Sequence, residues 1–403
     1  MSRWSVSSLG LIAVLSACGS RDPAPRPAPP PEPAAAAPAD AAPIATDATL
    51  AEPAAPPYAP FDRTKLATDV EPCVGHDGAY LKCVARVVTG NRPKSLAFSP
   101  DGTELWVALH YDKPALAVYD TTTFALIGAV ELGPYGAVEL HFSIDGTKVY
   151  ASQFETATVF EVDRATRTAQ RKLVTGSKES KVIEVSPDGG TLWVANWAGN
   201  EVSEFDLATG KKHRALTTPG VPRGLYASRN GALYVSGFTP GRLYRFDLAT
   251  GALTIASEKG SSVRHVVADE DRGRLYASDL GEAKIWVHDL TDGSTEMLAA
   301  TDPKPNTIEL SPDGRVIYVS TRGENNPTTY LDPGPDWGTV LAVDALTGRL
   351  LDAAVSGNQS TGLAVSPDGH LLATTDFLDN RLNIYELPRS AVLLAGTGGA
   401  AHT

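Results

Sequence analysis

The hydrophobic and polar positions along the chain fall into one unit that repeats. A run of four to six apolar or alternating residues leads into a Ser-Pro-Asp-Gly turn, a second apolar run follows, and a polar break ends it. Gly362-Leu-Ala-Val-Ser-Pro-Asp-Gly-His-Leu-Leu-Ala-Thr-Thr375 is the clearest copy. Runs of this length and alternation predict short strands. Within the turn, Pro presets φ at the first central position, Asp bonds its own backbone, and Gly accepts a positive φ. The unit recurs at Ser99-Pro100-Asp101-Gly102, Ser143-Ile144-Asp145-Gly146, Ser186-Pro187-Asp188-Gly189, Ser228-Arg229-Asn230-Gly231 and Ser311-Pro312-Asp313-Gly314, with a looser copy at Asp269-Glu270-Asp271-Arg272-Gly273. The seven turn glycines are 44, 43, 42, 42, 41 and 55 residues apart. A period just above forty residues of strand pattern predicts an all-β fold, a seven-bladed β-propeller of four-stranded blades. A β-sandwich also has recurring turns, but not at this regular period.

The ends of the repeat array predict how the ring closes. Cys83-Val-Ala-Arg-Val-Val-Thr-Gly90 has the pattern of a fourth strand, like Leu126-Ile-Gly-Ala-Val-Glu-Leu-Gly133, yet no earlier strands accompany it. The last blade shows only three strands, at Leu363–Val365, Leu371–Thr375 and Leu382–Leu387. The N-terminal strand is therefore expected to complete the C-terminal blade and remove the open edges. A second recurring turn, Asp206-Leu-Ala-Thr-Gly210, Asp247-Leu-Ala-Thr-Gly251 and Asp344-Ala-Leu-Thr-Gly348, joins third strands to fourth. In up-and-down blades these turns share a face with the Ser-Pro-Asp-Gly turns. That face is uniform and reads as structural; the opposite, irregular face is where function is expected.

Units such as Leu363-Ala-Val-Ser-Pro-Asp-Gly369, Leu233-Tyr-Val-Ser236 and Leu192-Trp-Val-Ala-Asn-Trp-Ala-Gly-Asn200 resemble the YVTN-type β-propeller repeats of bacterial surface-layer and periplasmic proteins. More distantly they resemble seven-bladed lactonase-like propellers. The resemblance spans about residues 83–388 and implies the fold; its motifs make turns and blade contacts, so it says little about activity. The WD dipeptide signature and a haem-attaching Cys-x-x-Cys-His are absent. Also absent are the Gly-x-Ser-x-Gly elbow, His-Glu-x-x-His and the phosphate-binding Gly-x-x-x-x-Gly-Lys-Ser/Thr. Lactonase-like propellers use none of these, so an enzyme of that class stays open.

Composition narrows the setting. A formal charge of −12 argues against nucleic acid and against general attraction to anionic lipid. No apolar run is long enough to span a bilayer. Arg3 followed by the apolar stretch Leu9 to Leu15 reads as a secretory signal. Its Leu15-Ser-Ala-Cys18 ending resembles the bacterial lipobox, which implies cleavage before Cys18 and lipidation of its thiol. Gly19 in the next position implies the outer membrane; an ordinary signal peptide with an incidental Cys is the alternative. Residues 1–18 are thus expected to be the signal and 19–60 a Pro/Ala-rich tether, with 13 prolines between 21 and 60. As polyproline II such a tether reaches roughly 120 Å. The propeller is expected over 61–390 and a flexible tail over 391–403. In an exported chain Cys73 and Cys83 are most simply a disulfide bracing the closing strand. A metal pair completed by His76 is the alternative, short of a full ligand set.

Candidate chemistry follows from aligning the first strands on their turn glycines, with one extra residue allowed in the fifth. One register is apolar throughout and is expected to pack between blades. The alternate register puts Glu139, His141, Glu184, His265 and Glu309 along the channel. Convergent carboxylates and imidazoles serve acid–base work or bind a divalent cation, or simply line the channel through water. His141 and Glu184 are the catalytic candidates of a lactonase reading; Glu139, Glu184 and Glu309 are weak metal candidates. Tyr226 is placed to bond either His141 or Glu184. At the strand starts Lys94, Lys181, Arg223 and Arg264 form a partial basic ring on the irregular face. Such a ring receives a carboxylate, a phosphate or an acidic peptide, or is surface charge paired with local Asp and Glu. Tyr111, Phe154, Trp197, Phe238 and Phe377 add aromatic area at the second-strand ends. The long step holds an insertion over 322–338, anchored by Tyr330 and Trp337, a lid or partner-contacting loop if not a decorative one. The expectation is a monomeric, lipid-anchored, non-catalytic propeller without a cofactor, binding an envelope protein or an anionic small ligand through this face.

Overall fold

A computed structural model describes Cys73 and residues 75–111 and 113–388. The expected signal, Cys18, the tether and the tail lie outside the described residues, and no described helix is long and apolar enough to cross a membrane. Among the described residues, twenty-eight strands form seven four-stranded antiparallel sheets. Blade one holds β2 (Pro93–Phe98), β3 (Glu104–Leu109), β4 (Leu116–Asp120) and β5 (Leu126–Val130); the next five blades follow in chain order, β6–β9 to β22–β25. Blade seven is β26 (Ser360–Val365), β27 (Leu371–Asp376) and β28 (Arg381–Glu386), completed on its outer edge by β1 (Lys82–Val88). The fold and its closure are those the repeat pattern predicts.

The uniform face is built by the expected turn chemistry. In the Ser-Pro-Asp-Gly turns the Ser hydroxyl donates to the Asp carboxylate, at 2.6 Å for Ser99–Asp101 and 2.5 Å for Ser366–Asp368. The same Ser oxygen accepts the backbone N–H five residues on, Glu104 at 3.0 Å and Leu371 at 2.9 Å. Gly102 and Gly369 close these turns at φ 72°. The extra residue of the fifth repeat is absorbed by a 3-10 turn, Glu270–Arg272, capped by Gly273 at φ 66°.

Blades pack through the apolar register of the first strands. Leu96, Leu140, Ile183, Leu225, Val266, Ile308 and Leu363 are all buried. Trp106 of blade one meets Phe142 of blade two edge to face at 6.0 Å. Cys73 and Cys83 form the expected disulfide. It belongs to a clasp that ties the entry of β1 to the outer strand of blade six: Cys73 N–H donates to Val355 O at 3.1 Å, and Tyr80 and Leu81 N–H both donate to Asp352 at 2.9 Å. His76 faces the same carboxylate at 3.4 Å, so it serves the clasp and is no ligand of a cysteine metal site.

Candidate anion site at the channel mouth

Each first strand sends residues into a central channel, but six of them enter it irregularly. β2, β10 (Ser180–Val185), β14 (Pro222–Ala227), β18 (Val263–Asp269), β22 (Pro305–Leu310) and β26 each carry a register shift against their second strand, near their first residues. Such a bulge turns one residue out of the alternation and re-aims its side chain. The residues inside the six shifts include Lys94, Lys181, Arg223, Arg264, Asn306 and Thr361. They form one layer at the mouth.

A bulge also leaves a backbone carbonyl without its ladder partner, and a buried carbonyl must find a donor. Here the preceding blade supplies it. Ser152 Oγ donates to Lys181 O at 2.6 Å, Ser236 Oγ to Arg264 O at 3.3 Å, Ser278 Oγ to Asn306 O at 3.0 Å, Ser320 Oγ to Thr361 O at 3.1 Å, and Thr375 Oγ1 to Lys94 O at 3.4 Å. These hydroxyls come from the same position of five second strands. They fix the layer.

The predicted basic ring is therefore not surface charge. Lys181 is 2% exposed, Arg264 4%, Arg322 8% and Lys94 9%, with Arg223 partly buried. Arg322 was not among the cations read from the sequence; it joins the layer from the start of the 322–338 loop. Asn306 Oδ1 accepts from Arg264 Nε at 3.1 Å and from Arg322 Nη2 at 2.8 Å. Aromatic rings wall the cluster: Lys94 Nζ lies 4.2 Å from the Phe377 ring centroid, Lys181 Nζ 4.2 Å and Arg223 Cζ 3.1 Å from that of Trp197, and Arg223 Cζ 4.2 Å from that of Phe238. The wall continues through Phe154, 5.9 Å from Trp197, to His110 at 6.1 Å. His110, not Tyr111, occupies the second-strand-end position of blade one; Tyr111 is more exposed and meets it edge-on at 4.3 Å. Burial, then Lys94 and Lys181, push the His110 imidazole down to about 3, so it is a neutral ring of the wall.

Charge balance is one-sided. Burial, then Arg264, Lys94 and Arg223, hold Lys181 well below the usual ammonium range, and burial brings Lys94 down to about 8. Burial and the Arg264 and Arg322 guanidiniums likewise lower Arg223. The carboxylates that these cations feel are Glu139, which accepts from Ser95 Oγ, and the half-buried Glu179. Among the described residues, none accepts a hydrogen bond from Lys181 Nζ, Arg223 Nε or Arg322 Nε. A cation–π contact contributes up to about 2 kcal/mol, while taking one cation out of water costs several. Burying these like charges therefore costs the fold stability that the rings do not restore.

Tyr330 closes the mouth. Its hydroxyl bonds Lys94 Nζ, its ring lies 5.4 Å from Phe377, Arg322 Cζ is 5.5 Å from its centroid, and its carbonyl accepts from Gln359 Nε2 at 2.7 Å. Burial alone would raise the phenol, but Lys94 and Arg322 outweigh it and bring it down to about 8. The insertion thus places Tyr330 over the mouth. Trp337 stands at its foot, where its carbonyl would crowd any Cβ on Gly323.

From the mouth inward the channel forms a cavity of about 430 Å³, lined by Lys94, Lys181 and Arg264 and by Glu139, His141, Glu184, His265 and Glu309. Burial raises Glu184 to about 8 and Glu309 to about 7, and lowers His141, and His265 to about 3. Each of the two lactonase candidates is tied to the backbone: His141 Nδ1 meets Phe142 O at 2.6 Å, and Glu184 accepts from Ala227 N at 3.0 Å. Tyr226 bonds neither of them. Its hydroxyl turns to Glu270. Among the described residues no three His, Cys, Asp or Glu side chains come together as metal ligands, which withdraws the metal reading of Glu139, Glu184 and Glu309.

No family model matches the chain. In structure it is similar to a chain of hydrazine synthase from Kuenenia stuttgartiensis, with a TM-score of 0.63 and 19% identity over 76% of this chain and 98% of that one; this shows the propeller fold alone. In sequence it is 22% identical to a 6-phosphogluconolactonase of Formosa agariphila, over 52% of this chain and 67% of that enzyme. It is 31% identical over 322 residues to antigen Lp49 of Leptospira interrogans, a match covering 77% of this chain and 70% of the antigen. The chain belongs to the family of the Leptospira antigen Lp49.

Proposed function

We propose that this propeller is a non-catalytic receptor for an anionic ligand, taken at the channel mouth of the irregular face. The observation that carries the reading is the cluster of buried and partly buried cations, Lys94, Lys181, Arg223, Arg264 and Arg322, in which Lys181 Nζ, Arg223 Nε and Arg322 Nε have no acceptor among the described residues. Guanidinium forks and an ammonium suit phosphate or carboxylate oxygens. Trp197 and Phe377 hold the cations in place from behind, and Tyr330 shields them from water. The ligand's anionic group is either free, on a small molecule, or displayed by an envelope component. With Cys18 as a lipid anchor and 19–60 as a spacer, the receptor would stand off the outer membrane.

The test is thermal unfolding of the purified protein against phosphorylated sugars, dicarboxylates, acidic peptides and neutral sugars. A ligand at 100 times its dissociation constant stabilises the native state by about 2.7 kcal/mol. An anion should raise the melting temperature where its neutral counterpart does not, and Arg223→Glu with Arg264→Glu should remove the rise. Equal response to neutral and anionic sugars would sink the reading.

A second reading, a lactonase-like hydrolase, is favoured by the similarity to the 6-phosphogluconolactonase. His141 and Glu184 would be its acid–base pair, below a mouth able to hold the substrate's phosphate. Hydrolysis of that lactone, followed by proton release, should then vanish in His141→Ala while the fold persists. Absence of turnover in the wild type dismisses this alternative.

A further inference from the structure

The same channel has two charged levels, and the lower one is unused by an anion. On β10 the mouth residue Lys181 and the lower residue Glu184 are three positions apart across the entry bulge, at most about 10 Å of strand. Both line the one cavity, as does Glu309. Glu184 in blade three and Glu309 in blade six come from different sides of the ring and line the same cavity, where the Glu309 charge adds to burial in disfavouring the Glu184 carboxylate. Their level offers few donors. The Tyr226 hydroxyl is turned to Glu270, His141 Nδ1 faces the Phe142 carbonyl, and Ala97, Val267 and Ala364 are apolar. Each carboxyl takes a single backbone N–H, from Ala227 and from Leu310. A carboxyl pair with further acceptor capacity, in the same cavity as Lys94, Lys181 and Arg264, suits a donor carried in on an anion.

We infer that the channel takes an elongated zwitterion, with an anionic head among Lys181, Arg223, Arg264 and Arg322 and an ammonium at most about 10 Å below, between Glu184 and Glu309. The inference rests on the anionic-ligand reading above and adds the far end of the ligand. An ammonium fits where a divalent metal does not, because no third His, Cys, Asp or Glu among the described residues completes a ligand set there. Burial keeps both carboxyls easily protonated, and an incoming positive charge would ionise them. The cavity of about 430 Å³ is large enough for a short chain between the two ends.

The experiment is calorimetric titration of the full chain with hexylphosphonate and with 6-aminohexylphosphonate, which differ only in the terminal amine. The amine should bind at least tenfold more tightly. In Glu184→Gln with Glu309→Gln its affinity should fall to that of hexylphosphonate. Equal affinity for both probes in the wild type overturns the zwitterion and leaves the anionic mouth standing. If neither probe binds, the inference falls together with the mouth.

Discussion

Lys181 shows the conflict on which the site depends. It is buried beside Arg264, Lys94 and Arg223 against the face of Trp197, and no described residue accepts its protons. Nothing in blade packing asks for an ammonium there. The channel carboxyls are in a similar position with the opposite sign. Glu184 and Glu309, raised to about 8 and 7 by burial, hold protons in the fold that the unfolded chain releases above its ordinary carboxyl pKa. Their contribution to stability is therefore complete below about pH 4.5 and lost as pH rises through 7 to 8. Chemical unfolding across that window should show stability falling as pH rises, and Glu184→Gln with Glu309→Gln should flatten the slope. An unchanged slope in the double variant would mean that other groups set it.

The first strand with its entry bulge is the element that makes the site, and the second strand of the preceding blade holds it. Ser152→Ala removes the donor to Lys181 O and should cost about 1–2 kcal/mol, read as a lower denaturation midpoint. Anion affinity should drop with it, since the Lys181 backbone is then unanchored. In the insertion, Tyr330→Phe removes the hydroxyl that engages Lys94 and should tighten anion binding severalfold by ending that competition. A weaker affinity would instead make the phenol part of the binding surface. The strands, turns and ring closure were legible from sequence because period and turn chemistry are local. The positions of Lys94, Lys181, Arg223 and Arg264 were legible too, as strand starts. Their burial was not, because it depends on bulges that interrupt the alternation and on neighbouring blades. A signal was present in the recurring hydroxyls Ser152, Ser236, Ser278, Ser320 and Thr375, which looked like ordinary strand residues. Arg322 was missed because it replaces, in blade six, the aromatic that Phe154, Trp197, Phe238 and Phe377 supply elsewhere. His110 was missed because Tyr111 beside it matched the aromatic pattern better.

On the scale of the whole molecule, the ring is closed by a strand from the far end of the chain, so its integrity rests on β1. The Cys73–Cys83 link and the clasp on Asp352 brace that strand where it begins to pair. Cys73→Ser with Cys83→Ser removes a short loop constraint and should cost about 2–3 kcal/mol. Hydrogen exchange should rise first in β1 and β28 if closure is what the bridge protects. Within this closed ring the proposed receptor role implies that the irregular face gives up some stability for its cationic mouth. The most direct test of that trade is thermal unfolding of wild type and Lys181→Met side by side, with and without the anion that stabilises the wild type most. Lys181→Met should melt a few degrees higher on its own and gain little from the anion. A variant that melts lower than wild type, or that responds to the anion as fully, would contradict a mouth built to hold charge for a ligand.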